Sequence, residues 1–383
     1  MREEDAVTAS RFQEAIEVVG AGPAGLAAAI TLARGGRRVV VHEAHPDVGH
    51  RFRADLQGLE NWSTTRDVMD VLREAGITTA FEAIAFTRGT GFDAWDGRHA
   101  IRSTAPLFYL VERGPRSGSL DRALLDQALA LGVEVRFRSR KERIEGPGVL
   151  AVGPKAADAI AVGYHFETDA PDGYWLVLDE RVAPLGYAYL LVMRGRGTVK
   201  TCMFAGFKDE RKYVEGTLER FRRLVGLAMR NPQFHGGVGN FRVPASALSG
   251  PHPVAGEQAG FQDAFAGFGM RYAILSGVLA ARSILDGASY DERWQPVLRP
   301  AIETSIVNRA VFSMLSNAGC RWLLRSQAWS GDARRFLRRL YAPARLRRLL
   351  LPWAQRRFRS QREDASCNHV DCGCVWCRCG GVW

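Results

Sequence analysis

The first patterned segment is an apolar run, Ala15-Ile16-Glu17-Val18-Val19, which passes into Gly20-Ala21-Gly22-Pro23-Ala24-Gly25 and then an alanine- and leucine-rich stretch ending at Arg34. After Gly35-Gly36 a second apolar run covers Arg38–Glu43. This order predicts strand, glycine turn, helix, strand. A helix is predicted near Thr65–Ala75, and short strands and turns over 76–112. Ser119 is placed to cap a helix over Leu120–Leu131, closed by Gly132, with the strand Val133–Phe137 after it. A β-rich stretch spans about 149–207 and contains a hairpin, Gly186–Arg194 with Thr198–Phe204, around Gly195-Arg196-Gly197. An amphipathic helix is predicted over 209–230. A second glycine-rich turn at 255–269 leads into a helix over Met270–Leu285, and further helices fill 291–317. Residues 321–362 read as helical with breaks at Pro343 and Pro352, and no internal repeat is visible.

The fold class expected is α/β: a Rossmann-type βαβ domain interleaved with a β-rich substrate domain, plus C-terminal helices. The division predicted is an N-terminal extension (1–13), a dinucleotide-binding domain (14–160 and 245–290, with part of 76–105 joining the substrate sheet), a β-rich substrate domain (161–244), a basic helical region (291–362) and a cysteine-rich tail (363–383).

Composition sharpens this in two places. The chain has 383 residues, 46% apolar and 24% charged, enough for a large core. No segment has the roughly 18 uninterrupted apolar residues of a spanning helix. The N-terminus is acidic and polar (Arg2, Glu3, Glu4, Asp5), unlike a secretory signal, so a cytoplasmic location is expected. The net charge is +11, yet Arg321–Arg362 alone holds 13 arginines against Asp332, a local +12. The basicity therefore belongs to one segment and the remainder is close to neutral. In that segment Arg334, Arg335, Arg338 and Arg339 alternate with apolar residues at helical spacing. Such a helix suits peripheral contact with an anionic membrane face through 321–362, or packs on the body with a solvated basic side. No nucleic-acid motif accompanies the charge, so nucleic acid is set aside as a partner.

Of seven cysteines, Cys202 and Cys320 stand alone. Cys367, Cys372, Cys374, Cys377 and Cys379 crowd the tail with His369, more ligands than a tetrahedral zinc site needs. Zinc, an Fe–S cluster and a metal-free tail all remain open for them.

The glycine turn matches G-x-G-x-x-G in the right context, between a strand and a helix. Gly20 permits the tight turn, Gly22 lets backbone approach a diphosphate, and Gly25 lets the helix pack on the strand. Pro23 and Ala24 open the helix, whose N-terminus offers amides to phosphate. Glu43, 23 residues after Gly20, stands with Ala44 where a ribose-binding acid is expected. An acid there argues against a 2′-phosphate and so against NADP at this turn.

The second turn, Ala255-Gly256-Glu257-Gln258-Ala259-Gly260 followed by Gly267-Phe268-Gly269-Met270, resembles the late glycine–acid motif of the group containing geranylgeranyl reductases, aromatic hydroxylases and flavin halogenases. The resemblance implies FAD, with Glu257 replacing the usual aspartate at the sugar or ribityl hydroxyls. It also implies that the amides of Gly267, Phe268 and Gly269 face the flavin's pyrimidine edge. Gly49-His50-Arg51-Phe52, Gly58-Leu59-Glu60-Asn61-Trp62, Tyr109-Leu110-Val111-Glu112-Arg113 with Leu120-Asp121, and Gly186-Tyr187-Ala188-Tyr189 are most similar to the geranylgeranyl reductase family, over roughly 14–290. It implies that Arg51 and Arg113 lie beside the cofactor and that reduced flavin passes hydride to an unsaturated isoprenoid or other lipid-like small molecule.

The mid-chain Asp-Gly motif of aromatic hydroxylases has no clear counterpart at Val152-Gly153-Pro154-Lys155. No second strand-G-x-G-x-x-G-helix unit is present; Gly236-Gly237-Val238-Gly239 lacks both flanking elements. NAD(P)H would dock without its own Rossmann domain, or a donor protein such as ferredoxin would supply electrons. Tyr187 and Tyr189 share one face of a strand, where they line a substrate cavity and donate a proton, or simply pack. Cys202 reads as a small buried residue, and His165, His235 and His252 as isolated structural histidines. Three functions follow: an FAD-dependent reductase, a flavin monooxygenase or halogenase, and a non-catalytic membrane-associated FAD-binding protein.

Overall fold

The computed structural model describes residues 15–141, 143–154 and 157–357. The N-terminal extension and the candidate metal ligands Cys367 to Cys379 lie outside the described residues.

The chain begins β1 (Ile16–Val19), α1 (Pro23–Arg34) and β2 (Val39–His42), followed by β3 (Leu56–Glu60), α2 (Val68–Glu74), β4 (Ala83–Phe86), β5 (Arg88–Asp93), β6 (Arg98–Arg102), β7 (Phe108–Glu112), α3 (Leu120–Ala130), β8 (Glu134–Arg136) and β9 (Gly148–Leu150). β8, β2, β1 and β9 form a parallel four-stranded sheet in that order. Every residue of β2 is buried, as expected of a parallel strand covered on both faces. α1 is buried along most of its length because alanine dominates it. Ser119 caps α3 by accepting from the Arg122 amide, and Gly132 follows the helix with φ +78°.

The middle of the chain supplies β10 (Ala159–Glu167), β11 (Gly173–Leu178), β12 (Tyr187–Met193), β13 (Arg196–Met203), α4 (Glu210–Val225) and β14 (Arg230–Gly239). They build a seven-stranded sheet, β14-β10-β13-β12-β11-β5-β6, so β5 and β6 leave the early part of the chain to join it. β3, β7 and β4 form a small antiparallel sheet beside it. The hairpin β12–β13 closes with Met193 opposite Arg196. Its residues alternate: Ala188, Leu190, Val192 and Val199 face α4, where Val214, Leu218 and Phe221 pack, and Tyr187, Tyr189, Leu191, Lys200 and Cys202 face the cavity described below. α4 stops earlier than the pattern predicts, because Gly226 adopts φ +67° and Arg230 already starts a strand. Gly236–Gly239 lies inside that strand, not at a dinucleotide turn.

After the short strands β15 (Leu248–Ser249) and β16 (His252–Pro253) come α5 (Met270–Asp286), α6 (Tyr290–Phe312), α7 (Asn317–Trp329), α8 (Ala333–Tyr341) and α9 (Arg345–Arg357). Gly277 of α5 packs so closely on α1 that a Cβ there would meet the Ala24 carbonyl oxygen at 2.0 Å. α6 is one helix through Pro296 and Pro300. Pro343 separates α8 from α9, but Pro352 does not break α9. Buried Ala354 and half-buried Leu351 hold that helix on the main core, which outweighs one lost helical hydrogen bond. No described helix is long and apolar enough to cross a membrane.

Candidate functional site

One cavity of about 510 Å³ runs from the first glycine turn to α7 and α8. At its first end Gly20 has φ +103°, and a Cβ there would lie 2.2 Å from the Ala151 carbonyl oxygen; a Cβ on Gly25 would lie 1.9 Å from that of Gly20. Both glycines are demanded by the chain itself. Gly22 is different: a Cβ there would meet nothing within 4 Å, and the space it leaves lies over the start of α1. Glu43 accepts from the amides of Ala21 (2.8 Å) and His45 (2.9 Å), which ties the turn to the end of β2. Gly20, Gly22, Pro23, Ala24 and Glu43 line the cavity, whereas Gly25 and Ala44 do not.

The second glycine turn is drawn to the same place. Ala255 donates its amide to Leu150 at the end of β9, and Gly256 sits against Ala24. Glu257 lines the cavity and accepts from the Asn240 amide at 2.9 Å. Burial pushes its carboxyl up to about 7, against the pull of Arg51, the Asn240 amide and Arg113. Arg113 is buried and fixed bidentately by Asp121 (2.8 and 2.9 Å), with Gln57 accepting at 3.0 Å, and its guanidinium lies over the Phe52 ring. Gly267, Phe268 and Gly269 line the cavity immediately before α5, and Phe268 meets Trp62 edge-on at 4.6 Å.

On the β-sheet wall Tyr187 stands opposite Cys202 and Tyr189 opposite Lys200. Tyr187 donates its hydroxyl to the Ala266 carbonyl, and its ring is 5.9 Å from that of Tyr189. Burial raises both phenols well above their ordinary range, so they hold their protons. Burial also pushes the Cys202 thiol up to about 11, which keeps it from being a thiolate.

Sequence reasoning missed a polar network in this wall. Lys200 donates to Asp55 at 2.6 Å and lies 2.9 Å from His235 Nδ1, while His235 Nε2 reaches the Arg51 carbonyl at 2.6 Å. His235 is therefore not isolated: desolvation and the Lys200 charge push it down to about 4, so Nδ1 accepts and Nε2–H donates. Ligand atoms of Asp55, His165 and His235 gather within 4.8 Å, but the Lys200 ammonium already supplies the cation between Asp55 and His235. The available signal is a lysine inside the otherwise buried run of β13, on the face shared with Thr198 and Cys202.

The far end is apolar, walled by Trp175, Leu176, Phe312, Leu324, Leu337 and Leu340. α8 contributes its inner side here. Its cap Asp332 accepts from Thr104, and Arg334, expected on a solvated basic face, donates to the carbonyls of Thr64, Thr65 and Arg66.

Residues 13–152 match the FAD binding domain family. Comparison with curated protein sequences found no match. Among solved structures, a geranylgeranyl bacteriochlorophyll reductase-like protein from Thermoplasma acidophilum is 17% identical, with 90% of this chain and 98% of that one covered at a TM-score of 0.68. The flavin-dependent brominase Bmp2 is 13% identical over 89% of this chain and 99% of that one, TM-score 0.63. The p-nitrophenol 4-monooxygenase PnpA from Pseudomonas putida is 16% identical over 86% and 96%, TM-score 0.62. Residues 13–152 thus match an FAD binding domain, in a chain whose fold is shared with a geranylgeranyl bacteriochlorophyll reductase-like protein, a flavin-dependent brominase and a monooxygenase.

Proposed function

We propose that the chain is an FAD-dependent reductase acting on an unsaturated, lipid-like substrate. The observation that carries this reading is the continuity of one cavity with two chemically distinct ends. A glycine turn with free space over a helix N-terminus lies at one end, and an apolar chamber bounded by α7 and α8 at the other. When bound, FAD supplies the hydride chemistry.

The chain's own residues do the rest. The amides opening α1 bind the diphosphate, helped by the helix dipole. Glu43 keeps lone pairs for a ribose hydroxyl beyond the two amides it already serves. Arg51, Arg113 and Glu257 line the cavity, and the start of α5 with the Gly267–Gly269 backbone, which also lines it, would hold the ring system of a bound FAD. Tyr187 and Tyr189 hold the proton that accompanies hydride addition. The apolar chamber orients the substrate and excludes water. Electrons come from NAD(P)H or from a carrier such as ferredoxin. Exposed Trp322, Trp329, Leu349 and Trp353, beside the arginines of the last helices, would bring the chain to an anionic bilayer that holds such a substrate.

Turnover of prenyl lipids with and without oxygen, followed by product mass, tests the reaction. Gain of two hydrogens without oxygen is expected; gain of an oxygen atom or a halogen would place the chain with the monooxygenases or halogenases instead.

A further inference from the structure

Arg309, near the end of α6, is 1% exposed and lines the apolar end of the cavity. Among the described residues nothing accepts a hydrogen bond from its Nε or Nη1. Its guanidinium instead lies between the rings of Phe204 (4.1 Å) and Phe312 (4.3 Å), with Phe265 at 5.6 Å. Two carboxylates act on it through space and both are already engaged: Asp263 accepts from the amides of Phe265 and Ala266, and Glu180 from the Leu185 amide.

A buried guanidinium needs acceptors, because water no longer satisfies its five N–H donors. Aromatic faces attract the charge but accept none of those hydrogens in the fork geometry that arginine prefers. The other groups that act on it through space are the neutral Cys202, Tyr187 and Tyr341, so among the described residues its Nε and Nη1 have no acceptor. Arg271, buried outside the cavity, shows how this chain treats a structural arginine: it gives it the Glu60 carboxylate and the hydroxyls of Ser63 and Thr64. Arg309 has none, and it faces the space a ligand would fill.

We infer that Arg309 is the head-group site of the substrate chamber: the ligand is an amphipathic molecule whose apolar body fills the chamber and whose anionic oxygen group, carboxylate or phosphate, pairs with this guanidinium. The inference rests on reading the apolar end as the substrate end. It does not depend on whether the reaction is reduction or oxygenation.

The test uses the FAD-loaded protein and three probes with one hydrocarbon chain: farnesoate, farnesyl monophosphate and farnesol. Binding is read from the shift of the flavin absorption spectrum, without turnover. At least one acidic probe is expected to bind about tenfold or more tighter than farnesol, the worth of a charged hydrogen bond. Which acid wins separates a carboxylate from a phosphorylated head. Arg309→Met should erase that preference and leave farnesol unchanged, while Arg309→Lys keeps part of it. Arg309→Met gives up the contacts with the Phe204 and Phe312 rings but also relieves a desolvated charge, so it should melt close to the parent. If that variant takes up no FAD, Arg309→Gln provides the same comparison. Equal binding of all three probes by the parent, or an acid preference that survives both neutral variants, would overturn the site. A chain that prefers the acid yet inserts oxygen would overturn the reductase reading and leave the site standing.

Discussion

Lys200 and Asp55 are 145 residues apart in the chain, yet their charged groups meet at 2.6 Å with both side chains buried. The contact joins the strand β13 to the start of β3, and Thr198 extends it by donating its hydroxyl to Asp55 and accepting from the Leu56 amide. It therefore fastens the seven-stranded sheet to the small sheet β3-β7-β4 at the cavity wall. Lys200→Met would leave a buried carboxylate with no counter-charge, and the expected loss is roughly 3–5 kcal/mol by urea unfolding. The double variant Lys200→Met, Asp55→Leu should lose less than Lys200→Met alone. If the double variant is the worse of the two, the pair is not the fastening element.

Two half-buried groups of the cavity wall give the apoprotein opposing pH dependences. His235 falls from 6.5 to about 4 on folding, so between those values the unfolded chain binds the extra proton and stability falls as pH falls. Glu257 rises from 4.5 to about 7, so the folded chain binds the extra proton and stability falls as pH rises through that range. His235→Gln should remove the acid-side loss and Glu257→Gln the loss toward neutrality. Thermal melting of apoprotein at a series of pH values checks both; curves of unchanged shape would show that neither group titrates as the geometry requires.

The glycines of the first turn should separate folding from binding. Gly20→Ala places a methyl against the Ala151 carbonyl at a positive φ, and its strain of roughly 1–3 kcal/mol, added to the clash, should lower the melting temperature. Gly22 has φ −79° and faces open space, so Gly22→Val should fold with near-parental stability and lose FAD by about tenfold or more. Retention of FAD by Gly22→Val would move the diphosphate elsewhere.

The membrane proposal calls for a different set of arginines from the one the helical spacing suggests. Arg334 is spent on the carbonyls of Thr64 to Arg66, whereas Arg335, Arg339 and Arg348 are exposed. Changing those three to glutamine should weaken co-sedimentation with anionic vesicles by about 1 kcal/mol each. Unchanged binding would remove the bilayer from the picture.

The first βαβ unit is legible in the sequence because each of its signals is local. β1, the glycines, α1 and β2 follow one another, and α1 begins at Pro23 and ends at Arg34 as the pattern predicts. The hairpin β12–β13 is legible for the same reason. What the sequence hides is non-local. Asp55, Lys200 and His235 come from three strands or their edges, and no spacing rule joins them. Arg309 lies in a helix whose arginines all look alike until the fold buries one of them. Pro352 reads as a break because proline costs a helix, and only the packing of Ala354 on the core shows that the cost is met.

The most direct test is titration of the apoprotein with FAD, followed by flavin fluorescence and absorbance. Uptake of one FAD per chain, lost in Gly22→Val while the fold survives, is the expected result. A folded protein that stays colourless and binds no FAD at micromolar concentration would contradict the central claim that the cavity beginning at Gly20 is the seat of a flavin.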